Sequence, residues 1–576
     1  MENIARIEGV MCIKLKGKNF QRMTNMKGDQ FVSGERESDT PEALAQRDEA
    51  MHIGNGKHIY QEVTYDNTTG LRLDSKRVAE ARKLEVEYFK TMNVFTRIPR
   101  RVAEKEGSKI VNTRWVDVDK GSSYRSRLVA KELRDGDRPD LFAATPPLES
   151  LKILLTKLAA MKGKYKLLHI DVSRAYMHAR ATRTIYIEIP KEMRAPQDEK
   201  EDNVGRLNVA LYGTRDGALN WEKEYSAFLK QLGYQHGQFS PCVFYKSSVD
   251  TAVTVHGDDF VFIGPESELK DVAHRFSNRY PVKHHILGGN KDDDKEVVVL
   301  NRKIVWGRNG IEYHVDPKHA KKIMEDMDVE NSKSVQVPGV NGNAEEAEGQ
   351  SLTQQMSTLY RSNVARFNYI GQDRPEIQFA VKEVAKNMVT PSSSDMGRLR
   401  RLAKYIKTYP RSMTMYRWGN QHSTAVGYSD SDWAGDKRTR TSTSGGCILL
   451  GGCVIKTWSR SQRKVATSSG EAELYAANRT AQELIGIQSL AKDMGIAIGC
   501  KLLLDAKATI GMVSRRGAGR LRHIEVQELW LQTAIAEKRV QVEKVPSWKN
   551  VADMMTKHVH PEAIQRHLHE IQVSRY

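Results

Sequence analysis

The pattern of apolar and polar positions predicts strands and helices over most of the chain. Short apolar runs bounded by turn residues, such as 166–170 and 251–256, have the length and β-branched content of buried strands. Apolar residues at helical spacing predict amphipathic helices, as at Leu474, Ala477, Ala481 and Leu484. An α+β multidomain fold is therefore expected.

Shifts in this pattern divide the chain into four expected segments: residues 1–84, 85–290, 291–420 and 421–576. The first is polar and lacks periodicity, so partial disorder is expected, above all in the charged stretch 33–48. An amphipathic helix from about residue 85 and strands at 110–118 open the second. Helical patterns dominate the third between 310 and 420, around an acidic, glycine-rich linker near 340–349.

Two aspartates, Asp258 and Asp259, stand at the predicted tip of a hairpin. Gly257 and Asp258 separate two β-rich runs and accept the backbone angles of a tight turn. A third aspartate, Asp171, ends an earlier apolar strand. Three carboxylates this close repel one another unless cations lie between them, so a divalent metal site is predicted. A Gly-Asp-Asp turn alone is more often a simple surface turn.

A second acidic set is expected downstream, where each member follows a strand or begins a helix. An α/β layered fold places its active site at such positions. Ser468, with Glu471 three residues later, predicts a capping box at the start of one of these helices. The last member follows Pro546 on a helix expected to start near Asn550. The four residues are Asp430, Glu473, Asp505 and Asp553.

Four blocks in order give the chain a resemblance to the reverse transcriptase of copia-type long-terminal-repeat retrotransposons. They are Arg127-Leu-Val-Ala-Lys131, Asp171-Val-Ser-Arg-Ala-Tyr176, Leu211-Tyr-Gly-Thr-Arg215 followed by Trp221, and His256-Gly-Asp-Asp259. The likeness continues through Tyr360-Arg-Ser362 and Arg374-Pro-Glu-Ile377 and covers roughly residues 85–565. It implies the reverse transcriptase and ribonuclease H portion of a Pol polyprotein: a cleaved product, a truncated copy or a partial gene model.

The resemblance implies a right-hand polymerase followed by a ribonuclease H-like domain. Fingers and palm would occupy 85–290, thumb and connection 291–420, and the nuclease 421–576. The implied activities are RNA-directed DNA synthesis and cleavage of RNA in RNA–DNA hybrids, with an RNA template, a DNA primer, hybrids and dNTPs as partners. Each site would use two Mg²⁺ or Mn²⁺ ions. Their ligands would be Asp171, Asp258 and Asp259 in the polymerase, and Asp430, Glu473, Asp505 and Asp553 in the nuclease.

Two nuclease assignments have a neighbouring alternative. Asp432 lies two residues beyond Asp430, on the same face of a strand that extends so far. Glu471 lies two residues before Glu473. Asp430 is preferred because the apolar strand stops there, and Glu473 because Glu-Leu-Tyr-Ala is similar to the family's catalytic helix turn. His523 matches a family position and is an auxiliary candidate, although a lone helical histidine is more often structural.

The resemblance also implies nucleotide contacts. Tyr176 takes the position of the aromatic residue that excludes a ribose 2′-hydroxyl, with a core tyrosine as the equal alternative. Arg127 and Lys131 match fingers residues that clamp a triphosphate, and their spacing places both on one face of a ribbon. In so basic a chain, a solvated cation is the alternative for each.

Departures from the family pattern favour two rival interpretations. His256-Gly257 replaces the usual Tyr-Val. The run Arg215-Asp216-Gly217-Ala218 replaces Lys-Gln-Ala-Pro, and the carboxylate of Asp216 is expected to repel a triphosphate. The rivals are an impaired remnant that only binds nucleic acid and a protein that retains only the ribonuclease H activity. The acidic loop 292–294 is interpreted as a solvated insertion.

Composition agrees with a nucleic-acid partner. The 576 residues carry 90 basic and 72 acidic side chains, for a net charge of +18 and a pI near 9.4. Five scattered cysteines without a Cys-x-x-Cys pair indicate neither structural zinc nor a disulfide framework. No signal peptide or apolar span of membrane length is present, so an intracellular location, cytoplasmic or nuclear, is expected.

Overall fold

The computed structural model describes residues 64–576 except 69, 134, 135, 137, 341–348, 421 and 520, together with the backbone of three short strands near the N-terminus. The stretch 33–48 and nearly all of the linker near 340–349 lie outside the described residues. Contacts divide the chain into two compact units. Residues 1–143 and 174–227 form the first, and residues 144–173 and 228–576 form the second. The expected segment 85–290 is thus divided between them.

The first unit combines short sheets with helices. Its longest helix begins at Ser75, about ten residues before the predicted start, because Asp74 caps it by accepting the N–H of Arg77 at 2.8 Å. Phe89 is buried on this helix as expected, whereas Leu84 is 65% exposed. The strands are Ile4–Ile7, Val10–Ile13, Gln21–Thr24, Phe95–Pro99, Ile110–Val111, Thr113–Asp119, Tyr124–Ala130, Tyr186–Ile187 and Asn203–Leu207, and the helices are Ser75–Thr91, Arg100–Lys105 and Pro196–Lys200.

A six-stranded antiparallel sheet in the second unit contains the strands expected for a palm, and this region is called the palm below. Its apolar strands pack against the helix Leu148–Ala160, of which ten residues are buried. In spatial order the strands are Gln235–His236, Val243–Lys246, Thr251–His256, Asp259–Gly264, Lys166–Val172 and Val282–Leu287. The helices Gly217–Gln231, which crosses the unit boundary in sequence, and Glu266–Arg279 complete the region.

A five-stranded sheet and four helices follow the palm. The last strand of the sheet, Val573–Arg575, pairs with Ser412–Arg417, so the end of the chain completes a sheet that begins some 280 residues earlier. The other strands are Glu296–Val299, Arg302–Trp306 and Gly310–His314, and the helices are Pro317–Met327, Gln354–Ile370, Gln378–Ala385 and Ser393–Thr408.

The C-terminal region is a mixed sheet covered by one long helix, Ser469–Asp493. Gly427 lets this helix approach closely, since a Cβ there would lie 2.9 Å from atoms of Thr480 and Leu484. The spatial order is Cys453–Ser461, Thr443–Leu450, Thr424–Ser431, Gly499–Leu504 and Gln541–Lys544; the first three are antiparallel and the last three parallel. Shorter helices are Lys507–Val513, Trp530–Ala536 and Pro561–Glu570. The predicted α+β class is confirmed.

A buried ionic cluster links the palm helix to the elements that follow it. The carboxylate of Asp373 lies 3.0 Å from the Lys152 ammonium, 2.9 Å from the Arg302 guanidinium and 3.1 Å from the Tyr313 hydroxyl. Burial alone would raise the pKa of Asp373, but Lys152 and Arg302 outweigh that cost and hold it at about 2.

The palm and the C-terminal region share one apolar core, which runs from Leu154 through Tyr313 to Leu484. Polar contacts close the junction. The Asp493 carboxylate, at the end of the long helix, accepts the backbone N–H groups of residues 238–240 at 2.8–2.9 Å. Lys157 donates to Asp250 at 2.6 Å and to the Met494 carbonyl at 3.1 Å.

Among the described residues, the helices are too short or too polar to cross a lipid bilayer.

We expect Asp373→Asn to lower the unfolding free energy of the second unit by about 3–5 kcal/mol, because it leaves Lys152 and Arg302 buried without their counter-charge. The depressed pKa means that the stabilisation by Asp373 is present above the ordinary pKa near 4 and is lost as the pH falls through about 2. Urea unfolding at pH 7 measures the loss. Asp271→Asn, in an exposed pair with Arg275, is the matched control and should cost less than about 0.5 kcal/mol; equal losses would contradict the prediction.

Candidate active sites

The three palm aspartates meet at one end of the central sheet. Asp171 and Asp259 are direct partners on neighbouring antiparallel strands. Asp258 occupies the preceding two-residue turn, and its carbonyl accepts the N–H of Val172 at 3.0 Å. Gly257 has φ +66°, which the turn requires. The hairpin tip predicted from the sequence is therefore present, and it lies beside the strand end that carries Asp171.

His169 is a site residue that the sequence reasoning missed. Its Nε2 lies 3.0 Å from Oδ1 of Asp259, and the ring is almost fully buried. The signal was available, because His169 precedes Asp171 by two residues and so lies on the same face of the strand. Among the described residues, the palm aspartates are not a set whose ligand atoms all lie within 4.8 Å of one another.

The downstream acids do form such a set. Ligand oxygens of Asp430, Asp505 and Asp553 all lie within 4.8 Å of one another. Asp430 belongs to the central strand, and Asp505 directly follows the neighbouring parallel strand. Asp553 lies in the short 3₁₀ helix Val551–Met555, which is capped by Asn550, the residue near which the sequence predicts a helix to start.

Asn550 fixes the segment that carries Asp553. This fully buried residue donates from its side-chain amide to the carbonyl of Ser429 at 2.9 Å, and its Oδ1 accepts the N–H of Ala552 at 3.2 Å. Ser429 directly precedes Asp430. The Asn550 amide thus joins the backbone segments that carry Asp430 and Asp553. This bond helps to keep the two carboxylates close together although they are 123 positions apart in the sequence.

Glu473 completes the electrostatics of the cluster. Its Oε1 accepts the N–H of Ser431 at 3.2 Å. Burial, and then the charges of Asp430 and Asp505, raise its pKa to about 9. Burial also raises the pKa of Asp430 to about 7 and that of Asp553 above its usual value. These carboxylates therefore resist ionising together unless positive charge is supplied.

Lys557 supplies one positive charge within the chain. Its ammonium lies 3.0 Å from Oδ1 of Asp553 and 3.8 Å from Oδ2 of Asp430. The hydroxyl of Thr556 donates to the same oxygen of Asp430. Neither residue was identified from the sequence, although Lys557 follows Asp553 by four positions, a spacing that brings charges together in helical segments.

The structure distinguishes Asp430 from Asp432 and Glu473 from Glu471 by their hydrogen-bond partners. Asp432 accepts the N–H of Thr443 and holds the loop that follows its strand. Glu471 accepts the N–H and hydroxyl of Thr467 and the hydroxyl of Tyr475, which outweigh burial and hold its pKa at about 2. Asp430 and Glu473 are thus the members that face the other acids. The predicted capping box is half present, since Ser468 accepts the N–H of Glu471 but Glu471 bonds to Thr467.

His523 contacts the network of Glu471. Its Nε2 lies 3.1 Å from Oε2 of Glu471 and 3.4 Å from Oγ1 of Thr467, and half of its side chain is exposed. Any effect of His523 on the acidic cluster would therefore be transmitted through Glu471, in the first turn of the long helix.

The nucleotide candidates lie in the first unit. The Arg127 guanidinium lies 4.8 Å from the ring centroid of Tyr212, and the ring of Tyr176 stacks on Tyr212 at 4.5 Å. Tyr176 is half-buried. Arg127 alternates with the buried Leu128 in its strand, and Lys131 is exposed just beyond the strand's end.

The expected repulsion by Asp216 is not supported, because its charge is neutralised. The carboxylate is 2% exposed and lies 2.7 Å from the Arg183 guanidinium, which also pairs with Glu132 at 3.1 Å. Burial would raise the pKa of Asp216, but Arg183 outweighs it and lowers the pKa. A carboxylate bound in this way presents little net charge to a triphosphate.

The interpretation of 292–294 as a solvated loop is wrong for Asp293. Its carboxylate lies 2.7 Å from the Lys166 ammonium and accepts the N–H of Asn290 at 2.7 Å. Asp292 and Asp294 are exposed as expected.

Comparison with known proteins gives one family and a group of relatives. Residues 97–340 match the family described as reverse transcriptase (RNA-dependent DNA polymerase). The chain is 24% identical over 482 residues to a retrovirus-related Pol polyprotein from transposon TNT 1-94 of Nicotiana tabacum, covering 78% of this chain and 35% of the relative. It is 26% identical to the Pol polyprotein from transposon RE1 of Arabidopsis thaliana, covering 81% and 32%, and 23% identical to the Ty1-OR Gag-Pol polyprotein of Saccharomyces cerevisiae, covering 85% and 29%.

Solved structures are more distant. A foamy viral protease–reverse transcriptase in complex with RNA/DNA hybrid aligns with a TM-score of 0.45 and 12% identity, over 91% of this chain and 62% of that one. The N-terminal ribonuclease H domain of a Mycobacterium tuberculosis protein aligns with a TM-score of 0.17 and 16% identity, over 26% of this chain and 97% of that one. Likenesses this weak add nothing to the assignment.

The chain spans about a third of the length of the curated relatives it matches. The resemblance found in the four sequence blocks is confirmed: residues 97–340 match the reverse transcriptase family, and about four fifths of the chain is similar to the Pol polyproteins of copia-type retrotransposons.

Proposed function

We propose that this chain is an RNA-directed DNA polymerase with a ribonuclease H that cleaves the RNA strand of RNA–DNA hybrids. One observation carries the proposal: acidic residues from distant segments lie together at two places, Asp171 with Asp258 and Asp259 at the end of the palm hairpin, and Asp430 with Glu473, Asp505 and Asp553 in the C-terminal region. The reverse transcriptase match over the palm supports the first activity. The basic composition suits RNA template, DNA primer, hybrid and dNTPs, all of which carry phosphates.

Both acidic sets fit hard divalent cations such as Mg²⁺ or Mn²⁺, which prefer carboxylate oxygens. In the nuclease, buried acids with raised pKa values face one lysine, a donor set with more negative charge than the chain itself neutralises. When bound, two such ions at each site would activate the attacking oxygen and stabilise the leaving one.

In the palm, the side chains of the fold would hold and orient the reactants. Asp171 and Asp259 would hold the metal from adjacent rigid strands, and His169 fixes one oxygen of Asp259. In the first unit, Arg127, the exposed Lys131 and the half-exposed Tyr176 are the proposed contacts for the triphosphate and the sugar.

In the nuclease, Asn550 and Thr556 hold the carboxylates in place through Ser429 and Asp430. Lys557 offsets part of their charge and is half exposed, so its ammonium can reach a phosphate oxygen of the substrate. His523 is proposed to act only through Glu471.

A chain with nuclease activity alone is the second candidate. It is favoured by a difference between the two sites. Ligand oxygens of Asp430, Asp505 and Asp553 lie within 4.8 Å of one another, whereas the palm aspartates form no such set among the described residues. In the palm, moreover, His169 lies against Asp259. A remnant that binds nucleic acid without catalysis is the third.

We expect Asp258→Asn to abolish primer extension on an RNA template with Mg²⁺ and to leave cleavage of a labelled hybrid intact. Asp505→Asn should have the reverse effect, because each removes a metal ligand from one site only. Asp292→Asn, at an exposed position outside both sites, is the control. Cleavage without extension by the unaltered chain would favour the nuclease alone, and binding without either reaction would favour the remnant.

We expect Glu473→Gln to raise the thermal midpoint of the metal-free protein at pH 8 by at least about 2–4 °C, the shift that about 1 kcal/mol produces in a domain of this size. The raised pKa means that the stability contributed by protonated Glu473 is present below its ordinary pKa near 4.5 and is lost as the pH rises toward about 9. The gain should therefore vanish near pH 4.5.

Glu471→Gln is the matched control two residues away. It removes a carboxylate whose pKa is low, so it should lower the midpoint at pH 8. A gain from both substitutions, or from neither, would contradict the assignment of Glu473 to the cluster. Calorimetry in the presence of a chelator measures both.

We expect Tyr176→Ala to raise ribonucleotide incorporation relative to deoxynucleotide incorporation by about tenfold, the effect of about 1.4 kcal/mol of lost steric exclusion. Tyr176→Phe keeps the ring and should keep the selectivity. Single-nucleotide extension kinetics with matched dNTP and rNTP measure the ratio. An unchanged ratio in Tyr176→Ala would leave Tyr176 as a packing residue against Tyr212.

A further inference from the structure

Two of the eight tryptophans are more than half exposed, and both lie in segments that carry nuclease carboxylates. Trp433 is 55% exposed and follows Asp430 by three residues. Trp548 is 59% exposed and precedes Asp553 by five. Exposing an indole forgoes a large burial free energy, so two such residues at one site require a reason.

Trp433 is held in a fixed orientation. Its indole N–H donates to the carbonyl of Ala466 at 3.1 Å, just before the helix that bears Glu473. The adjoining Ala434 N–H donates to Ser442 Oγ at 3.0 Å. The ring is therefore anchored by its polar edge while its apolar surface faces solvent.

The loop after Trp433 presents positive charge outward. The side chains of Lys437, Arg438 and Arg440 are exposed. The acidic side chain of the same loop is turned inward, since Asp436 accepts the N–H groups of Arg438 and Thr439 at 3.1 and 3.0 Å and lies 3.1 Å from the Lys386 ammonium. An exposed ring beside outward cations matches a sugar or base beside phosphates.

Trp548 has the same chemistry. The Lys549 ammonium lies 5.0 Å and the Arg566 guanidinium 5.9 Å from the centre of its ring. Two residues further on, Asn550 joins this segment to Ser429. The two exposed indoles thus stand on segments that one hydrogen bond links beside the acidic cluster.

We propose that Trp433 and Trp548, with the cations beside them, bind an RNA–DNA hybrid and position its RNA strand at the acidic cluster. This inference rests on the proposed ribonuclease H function and names the contacts through which that site holds its substrate. Both residues are positioning residues: they touch the sugars or bases of the substrate, and the carboxylates act on the scissile phosphate.

The first test needs no catalysis. Hydroxyl-radical footprinting of the full chain in a chelator compares the free protein with the protein bound to a hybrid and to a DNA duplex of the same sequence. Oxidation of both tryptophans should fall with the hybrid and fall less with the duplex. Phe142, which is 72% exposed in the first unit, should not change. Unprotected tryptophans, or equal protection by the DNA duplex, would overturn the proposal.

The second test separates binding from chemistry. In single-turnover cleavage, Trp433→Ala and Trp548→Ala should each raise the half-saturating enzyme concentration at least about fivefold, as expected for one lost stacking contact, with the maximal rate unchanged. Tryptophan-to-phenylalanine variants should recover most of the affinity, and Phe142→Ala should resemble the unaltered chain. Circular dichroism confirms that each variant folds.

These outcomes distinguish the proposed tryptophan contacts from the proposed nuclease activity. Protection of both tryptophans without cleavage by the unaltered chain supports the contacts and refutes the nuclease. Cleavage with unchanged half-saturation in both alanine variants supports the nuclease and refutes the contacts. Tryptophans that are protected only by another protein would make this surface a protein interface, which would also refute the proposal.

Discussion

Mutual repulsion among buried carboxylates is the constraint on which the C-terminal acidic cluster depends. Burial and neighbouring charge raise the pKa values of Glu473 and Asp430, and one lysine, Lys557, offsets only part of the negative charge. Such a cluster survives only where the surrounding fold prevents its members from separating. Strand pairing, the Asn550 amide and the Thr556 hydroxyl provide that restraint. The fold thus stores the electrostatic cost that a cation would relieve.

The palm meets the same problem with a different local solution. Asp171 and Asp259 are opposed by strand register, and a histidine lies against one of them. Two other buried acids, which have no part in either cluster, are paired with cations: Asp373 with Lys152 and Arg302, and Asp216 with Arg183. Burial of a carboxylate therefore does not by itself mark a site of chemistry.

Much of this arrangement was predictable from local signals. Three local signals predicted which element carries each acid. They are the Gly257-Asp258 turn for Asp258, the end of an apolar strand for Asp430, and the Ser468 cap for Glu473. What local signals could not supply was pairing at a distance. Arg183 neutralises Asp216 from 33 positions away, and Lys166 binds Asp293 across 127 positions. Which of Asp430 and Asp432 joins the cluster depended on partners that only the folded chain brings near.

The long helix docks on the palm, and this docking would fix the spacing between the two proposed reactions on one nucleic acid. Asp493 and Lys157 hold together a junction built on a continuous apolar core, so the palm aspartates and the C-terminal acidic cluster belong to one packed body. A duplex engaged by both would experience a constant number of base pairs between synthesis and degradation. The length of the surviving RNA fragments would then be set by the fixed distance between the two sites in the protein. It would not depend on the enzyme concentration.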